Sequence, residues 1–212
     1  MENKNVIEMI PVEGGTVKLG SKVNAVSTFE IGKYPVTQKQ WQDVMGTNPS
    51  RFSGDDLPVE NVSWNDAQEF ITKLNAMYPG KNYRLPTEIE WQYAARGGRL
   101  SNGYEYAGSD DLKEVGWYCD NSDGITHPVG QLKPNELGIY DMSGNVWEWC
   151  WDWYGDYPAE ADNYSGPPGG EYRVLRGGSW LSDGYVCRSA IRYGYIPVSR
   201  YDYFGFRLSR HL

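Results

Sequence analysis

Residues 138–149 read Gly138-Ile139-Tyr140-Asp141-Met142-Ser143-Gly144-Asn145-Val146-Trp147-Glu148-Trp149. Two carboxylates, at 141 and 148, flank a glycine bend, so backbone carbonyls of the bend can converge with them. Oxygen ligands at this density suit a hard cation such as Ca²⁺. The same pattern also suits a metal-free turn whose carboxylates cap backbone N–H groups, and the spacing is not that of an EF-hand loop.

The composition around this turn favours a loop-rich fold. Aromatic residues make up 15% of the 212 residues, beside 25 Gly and 12 Pro. This mixture argues against a helical bundle and suits turns held together by aromatic packing. The length fits one domain spanning residues 1–212.

Capping patterns predict three helices in the first half of the chain. In each, a Ser or Thr is followed three residues later by a residue that can return the hydrogen bond. The pairs are Thr37 with Gln40, Ser63 with Asp66, and Thr87 with Glu90. Before them, 10–20 reads as two short strands around Gly14-Gly15, and 27–32 reads as another strand. Little helical periodicity follows residue 98.

Charge and hydropathy exclude several classes of protein. A formal net charge of −8 disfavours a general binder of nucleic acid or anionic membranes. No apolar run has the length of a membrane span, and residues 1–5 lack a signal-peptide pattern. We expect a soluble chain, with surface display and a cytoplasmic location both open. The three cysteines are expected to be reduced thiols, although one disulfide is possible.

Residues 181–204 have the composition of a binding surface. They are rich in Tyr, Ser, Gly and Asp, which combine large contact areas with adaptable hydrogen bonding. Lys, Glu, Gln, Met and Trp, about a fifth of the chain, are absent from all 24 positions. An aromatic-rich sheet edge is the plainer interpretation.

Motifs for nucleophilic or metal-assisted hydrolysis are missing. The two histidines, His127 and His211, are far apart in sequence, and neither HExxH, GxSxG nor a phosphate-binding P-loop occurs. A histidine-based triad is therefore not expected.

Seven motifs in order resemble those of the formylglycine-generating enzyme (sulfatase-modifying factor) family. They are Glu13-Gly14-Gly15, Tyr34-Pro35-Val36-Thr37, the segment 58–64 (Pro-Val-Glu-Asn-Val-Ser-Trp), the segment 84–98 (Arg-Leu-Pro-Thr-Glu-Ile-Glu-Trp-Gln-Tyr-Ala-Ala-Arg-Gly-Gly), the stretch 138–149, Arg176-Gly177-Gly178-Ser179-Trp180 and Gly205-Phe206-Arg207. The resemblance implies an α+β chain with a loop-rich variant of the C-type lectin fold and little regular secondary structure.

The enzymes of this family oxidise a substrate cysteine with O₂ and copper, using two cysteines after the Gly-Gly-Ser-aromatic motif. The resemblance places these at Ser182 and Cys187 in this chain. A soft Cu(I) site needs both thiolates. We therefore expect no copper and no such activity, with a formylglycine-type oxidoreductase acting through Cys187 as the alternative.

A second branch of the fold is similar in its C-terminal segment: the variable proteins of diversity-generating retroelements. Adenine-directed mutagenesis of Asn codons (AAC or AAT) cannot yield Lys, Glu, Gln, Met or Trp, and 181–204 obeys that rule. The intervening framework residues keep the spacing of such proteins. They are Trp180, Cys187-Arg188, Arg192, Pro197, Arg200 and Gly205-Phe206-Arg207.

This resemblance implies a ligand-binding protein with a hypervariable face, recognising a protein or another macromolecule. We call the following residues the candidate face: Leu181, Ser182, Asp183, Gly184, Tyr185, Val186, Ser189, Ile191, Tyr193, Gly194, Tyr195, Ile196, Ser199, Tyr201, Asp202, Tyr203 and Phe204. The family's structural calcium site maps onto the side chains of Asp141 and Glu148 and the carbonyls of Gly144 and Val146. A third possibility is a structural family member with one fixed protein partner.

Overall fold

The computed structural model describes residues 7–19, 22–157 and 162–212. The three predicted helices are present as α1 (Gln38–Met45), α2 (Trp64–Met77) and α3 (Glu88–Ala95). Each begins at its predicted cap with a reciprocal capping box, which satisfies two otherwise unpaired N–H groups. Gly46 ends α1 at φ 79°, a left-handed conformation that glycine adopts without strain.

Only short helical pieces follow α3. A single 3₁₀ turn covers Gly98–Leu100, and α4 (Leu112–Val115) is one turn long. The expectation of an α+β chain with long irregular segments after residue 98 is confirmed in this part of the chain.

Nine strands form three small sheets within the described residues. They are β1 (Met9–Val12), β2 (Gly15–Leu19), β3 (Lys22–Val26), β4 (Phe29–Gly32), β5 (Trp147–Trp153), β6 (Arg173–Arg176), β7 (Arg192–Tyr195), β8 (Phe204–Gly205) and β9 (Ser209–His211). The sheet orders are β1-β4-β9, β2-β3 and β7-β6-β5-β8.

The two strands predicted around Gly14-Gly15 were expected to pair with each other across a turn, and this prediction is wrong. Both strands exist, but β1 pairs with β4 and β2 pairs with β3. The backbone at Gly14 leaves no room for a side chain, because a Cβ there would lie 2.7 Å from the carbonyl oxygen of Val26. The glycines therefore let the chain cross between two sheets rather than turn back on itself.

Strand β5 is the centre of the molecule. It pairs antiparallel with β6 and parallel with β8. Side chains alternate across a strand, so its tryptophans share one face while Glu148, Cys150 and Asp152 point to the other. Trp149 is fully buried beside Phe204, with ring centroids 5.1 Å apart. The same strand thus carries core tryptophans and Glu148, one of the two carboxylates of the predicted turn.

Candidate functional site

The candidate face begins where β6 leaves the core. Gly177 and Gly178 follow the strand at φ 99° and 75°, which non-glycine residues rarely adopt. A Cβ at position 178 would lie 2.6 Å from the Sγ of Cys187. The Gly-Gly bend therefore lets the segment close tightly over a buried cysteine before β7 begins.

Framework arginines tie the segment to distant helices. Arg192 donates two hydrogen bonds to the buried carboxylate of Glu88, at 2.8 and 2.6 Å. Arg200 makes a similar fork on Asp66, at 2.6 and 2.7 Å. Bidentate pairs of this kind fix orientation as well as distance. They anchor the start of β7 and the loop that follows this strand.

Trp180 connects the loop after β7 to the core. Its backbone N–H donates to the carbonyl of Asn145 at 2.8 Å, and its indole N–H donates to the carbonyl of Asp202 at 3.0 Å. Its ring meets Phe52 edge-on at 5.5 Å. Asn61 donates from its backbone to the carbonyl of Tyr201 at 2.9 Å. These contacts use only ring and backbone atoms, so they do not depend on which side chains stand at positions 201 and 202.

Fifteen of the seventeen residues of the candidate face reach solvent. The exposed ones are Leu181, Asp183, Tyr185, Tyr193 and Ile196. The half-buried ones are Ser182, Gly184, Val186, Ile191, Gly194, Tyr195, Ser199, Tyr201, Asp202 and Tyr203.

Two predicted members do not belong to the surface. Ser189 is 1% exposed because its N–H and hydroxyl both bind the carbonyl of Glu105, at 3.0 and 3.1 Å. Phe204 is 1% exposed because it begins β8 and packs against Trp149. Composition alone could not separate these residues from their exposed neighbours.

The aromatic residues of the candidate face hold one another in place. The hydroxyls of Tyr195 and Tyr201 are hydrogen-bonded at 2.8 Å. Tyr201 stacks on Tyr203 with ring centroids 5.1 Å apart, and Tyr193 lies 5.8 Å from the ring of Trp147. Mutual contacts reduce the rotamer freedom that these side chains would lose on binding a partner.

A groove of about 450 Å³ crosses the candidate face. Its lining is aromatic, aliphatic and hydroxyl-bearing: Trp147, Ser179, Leu181, Ser182, Val186, Ile191, Tyr193, Tyr195, Tyr203 and Phe204. Trp147 and Ser179 escaped prediction because they lie outside 181–204, and exposed Ala190 and Val198 were not singled out within it. The parallel pairing of β5 with β8, which brings Trp147 here, left no local signal in the sequence.

Ser182 and Cys187 are the positions at which the resemblance places the catalytic cysteines of the enzymes. The Ser182 hydroxyl accepts a hydrogen bond from the Ser179 N–H at 3.0 Å. Cys187 is fully buried, and burial raises the pKa of its thiol to about 12. A thiol with such a pKa is protonated at neutral pH and is a weak nucleophile. All three cysteines are free thiols, as expected.

Glu148 forms a buried ion pair with the guanidinium of Arg207. Its Oε2 accepts hydrogen bonds from the Nε1 of Trp91 and the Nε of Arg207, each at 2.6 Å, and its Oε1 accepts from the Nη2 of Arg207 at 2.7 Å. Arg207 also donates to the carbonyls of Gly32 and Tyr140, at 3.0 and 2.9 Å. The whole pair is buried.

The other predicted calcium ligands form a packed turn. Asp141 accepts from the N–H of Gly130 at 2.8 Å, and burial raises the pKa of its carboxyl to about 6. A Cβ at Gly144 would lie 2.2 Å from the carbonyl oxygen of Trp117, and Val146 is buried. With Glu148 neutralised by a guanidinium, this donor set does not fit a calcium ion. Calcium binding stays a prediction from the resemblance.

Two further structural findings concern metal clusters and membrane-spanning helices. Within the described residues, no three Asp, Glu, His or Cys side chains meet closely enough to hold a metal ion. In the same part of the chain, every helix is too short or too polar to cross a lipid bilayer.

Comparison with known proteins places this architecture in one family. Residues 1–212 match the sulfatase-modifying factor enzyme 1-like domain. The chain is 39% identical over 229 residues to the chaperone protein LppX of Paenibacillus barcinonensis, covering 82% of this chain and 79% of that protein. It is also 39% identical over 187 residues to the formylglycine-generating enzyme of Streptomyces coelicolor, covering 79% of this chain but 57% of the enzyme.

A solved structure aligns over almost the full length. Treponema denticola variable protein 1 superposes with a TM-score of 0.88 at 33% identity, covering 96% of this chain and 95% of that one. The expected C-type lectin fold is thereby confirmed. The chain belongs to the sulfatase-modifying factor enzyme 1-like family.

Proposed function

We propose that this chain is a ligand-binding protein whose candidate face is diversified by a retroelement and displayed on a constant scaffold. One observation carries the proposal: fifteen candidate-face residues reach solvent, while the framework residues between them make the anchoring contacts. The similarity to a Treponema denticola variable protein at 33% identity supports it.

This division explains how variation and folding could coexist. Arg192, Arg200, Trp180 and Cys187 hold the segment through buried or bidentate contacts, and none of them is a candidate-face residue. Surface substitutions away from such contacts usually change the free energy of unfolding by no more than about 0.5 kcal/mol. Recognition would come from the tyrosines and the aliphatic residues around the groove, with a protein or other macromolecule as partner.

We infer that the chain lacks the oxidase activity of its enzymatic relatives. Ser182 replaces one of the two thiols, and Cys187 is buried with a raised pKa. One thiol in this state does not supply the soft ligand pair that Cu(I) prefers.

Reading the codons for 181–204 tests the proposal. Diversification predicts that most candidate-face positions use codons ending in C or T, and that a near-identical template repeat rich in adenine lies nearby in the genome. Other codons at most of these positions, together with the absence of any repeat, would contradict it.

A formylglycine-type oxidoreductase is the second candidate, because the chain is 39% identical to such an enzyme over 79% of its length. The discriminating experiment incubates the protein with Cu(I), O₂ and a Cys-containing sulfatase peptide. Our proposal expects no aldehyde product and no tight Cu(I) binding. Turnover that is lost in Cys187→Ser would establish the alternative instead.

A further inference from the structure

A second cavity lies at the other end of β5 from the candidate face. Its volume is about 520 Å³, within the range of small-molecule sites. Its lining residues are Ser27, Arg84, Leu85, Thr87, Ile89, Glu90, Trp151, Asn163, Ser165 and His211. None lies in 181–204, so this cavity would keep its chemistry whatever the candidate face becomes.

An aromatic wall and an aliphatic floor shape the cavity. Trp151 is 42% exposed although it sits on a central strand, and its ring lies 5.6 Å from that of Trp64. The floor residues Leu85 and Ile89 are 0% and 1% exposed. A large indole left open beside a preformed hollow offers an apolar surface to a flat ligand.

The charged groups at the wall are fixed by their bonds to each other. Arg84 donates from both terminal nitrogens to Glu90, each at 2.6 Å, while Glu90 also accepts from the N–H of Thr87 at 2.9 Å. The Nε of Arg84 is buried without a hydrogen-bond partner. This nitrogen has no accessible surface, so the polar contacts available to a ligand come from the other lining side chains.

The remaining polar side chains provide both donors and acceptors. The Nδ1 of His211 lies 3.5 Å from the Nη2 of Arg84. Asn163 accepts from the N–H of Ser27 at 2.7 Å, which fixes that side of the cavity, and Ser165 adds a hydroxyl. Because Arg84 and Glu90 neutralise each other, the cavity offers no unpaired side-chain charge from this pair.

We propose that this cavity binds a neutral saccharide. A pyranose ring has an apolar C–H face that can stack on the indole of Trp151, and a rim of hydroxyls that can both donate and accept. A charged ligand would lose its hydration without finding a counter-ion. A purely apolar ligand would displace water from the hydroxyl of Ser165 and the imidazole of His211 without offering either a partner.

Titration with sugars tests this inference directly. The full chain is titrated with glucose, galactose, mannose, N-acetylglucosamine, maltose and cellobiose, and binding is followed by calorimetry and tryptophan fluorescence. We expect saturable binding of at least one of them. Trp151→Ala should weaken that binding at least about tenfold through loss of the aromatic surface.

Two further variants separate loss of the site from loss of the fold. Ser165→Trp fills the cavity while leaving Trp151 intact, and should also abolish binding. Tyr193→Ser, on the candidate face, should bind the sugar as the parent does, and thermal melting confirms that each variant is folded. Failure of every sugar to saturate the parent, or equal binding by parent and folded Ser165→Trp, would overturn the inference.

Discussion

Glu148 and Arg207 form the ion pair at the turn for which the sequence predicted a calcium site. Both are fully buried, and Arg207 donates two hydrogen bonds to the carboxylate of Glu148, at 2.6 and 2.7 Å. The sequence marked this turn correctly as a dense polar site. It could not show that the compensating cation comes from residue 207, because only the fold brings that residue close.

Removing one partner of this pair should destabilise the protein strongly. Glu148→Ala leaves the guanidinium of Arg207 buried without its carboxylate, and breaking such a pair typically costs about 3–5 kcal/mol. We expect a large fall in the chemical-denaturation midpoint, and no change in melting of the parent between EDTA and excess calcium. Glu148→Gln, which keeps the shape and one acceptor, serves as the matched control. A calcium-dependent rise in the melting temperature of the parent would instead support calcium binding.

Glu60 should make stability depend on pH near neutrality. It is fully buried beneath the Arg51–Asp202 ion pair, its Oε2 lacks a hydrogen-bond partner, and burial raises the pKa of its carboxyl to about 7. Below the ordinary pKa of 4.5 both folded and unfolded states hold the proton. Between 4.5 and about 7 the unfolded state ionises first, so stability falls as pH rises.

The measurement is the melting temperature of parent and Glu60→Gln from pH 5 to pH 8. The variant should lose less stability over this range than the parent, since its side chain cannot ionise. Asp55→Asn removes the same charge from an exposed position and should follow the parent. Parallel curves for parent and Glu60→Gln would contradict the assignment.

At the scale of elements, β7 shows where variation meets a limit. Gly194 lies in this strand opposite Val174, and a Cβ there would come within 2.8 Å of the Tyr154 ring. Tyr154 in turn stacks under the guanidinium of Arg192, 4.4 Å from the ring centroid. Position 194 is therefore open to solvent on one side, while the ring of Tyr154 leaves no room for a side chain on the other.

Gly194→Ala should lower the melting temperature because Tyr154 has to move away from Arg192. Combining it with Tyr154→Ala should restore part of the loss, which a double-mutant cycle measures as a coupling between the two sites. Ser199→Ala, a half-buried substitution elsewhere in the same segment, is the control. Strictly additive effects at 194 and 154 would show that the close approach carries no energy.

Local signals predicted the helices well and the sheets poorly. The three caps at Thr37, Ser63 and Thr87 depend on residues three positions apart, so a short window contains the whole interaction. The pairing of β1 with β4 depends on contacts distant in sequence, and two adjacent strands around glycines were wrongly expected to pair with each other. For these elements the type was readable from the sequence, whereas the choice of pairing partner was not.

At the scale of the whole molecule, the candidate face was recognisable from composition but its borders were not. Exclusion of five residue types pointed to 181–204, and most of its candidate residues reach solvent. The same statistic could not tell that Phe204 enters β8, nor that Trp147 would join the groove from another strand. Surface and core are decided by topology, which composition does not encode.

A diversified candidate face requires a scaffold that folds without the exposed side chains of that face. The direct test is the thermal unfolding of a variant with Leu181, Tyr185, Tyr193 and Ile196 all changed to Ser, compared with the single change Phe204→Ser. We expect the fourfold variant to unfold cooperatively within a few degrees of the parent. The control should lose about 3–5 kcal/mol or more, as large-to-small changes of buried aromatics do. A fourfold variant as unstable as Phe204→Ser would show that the exposed side chains of the candidate face are needed for folding.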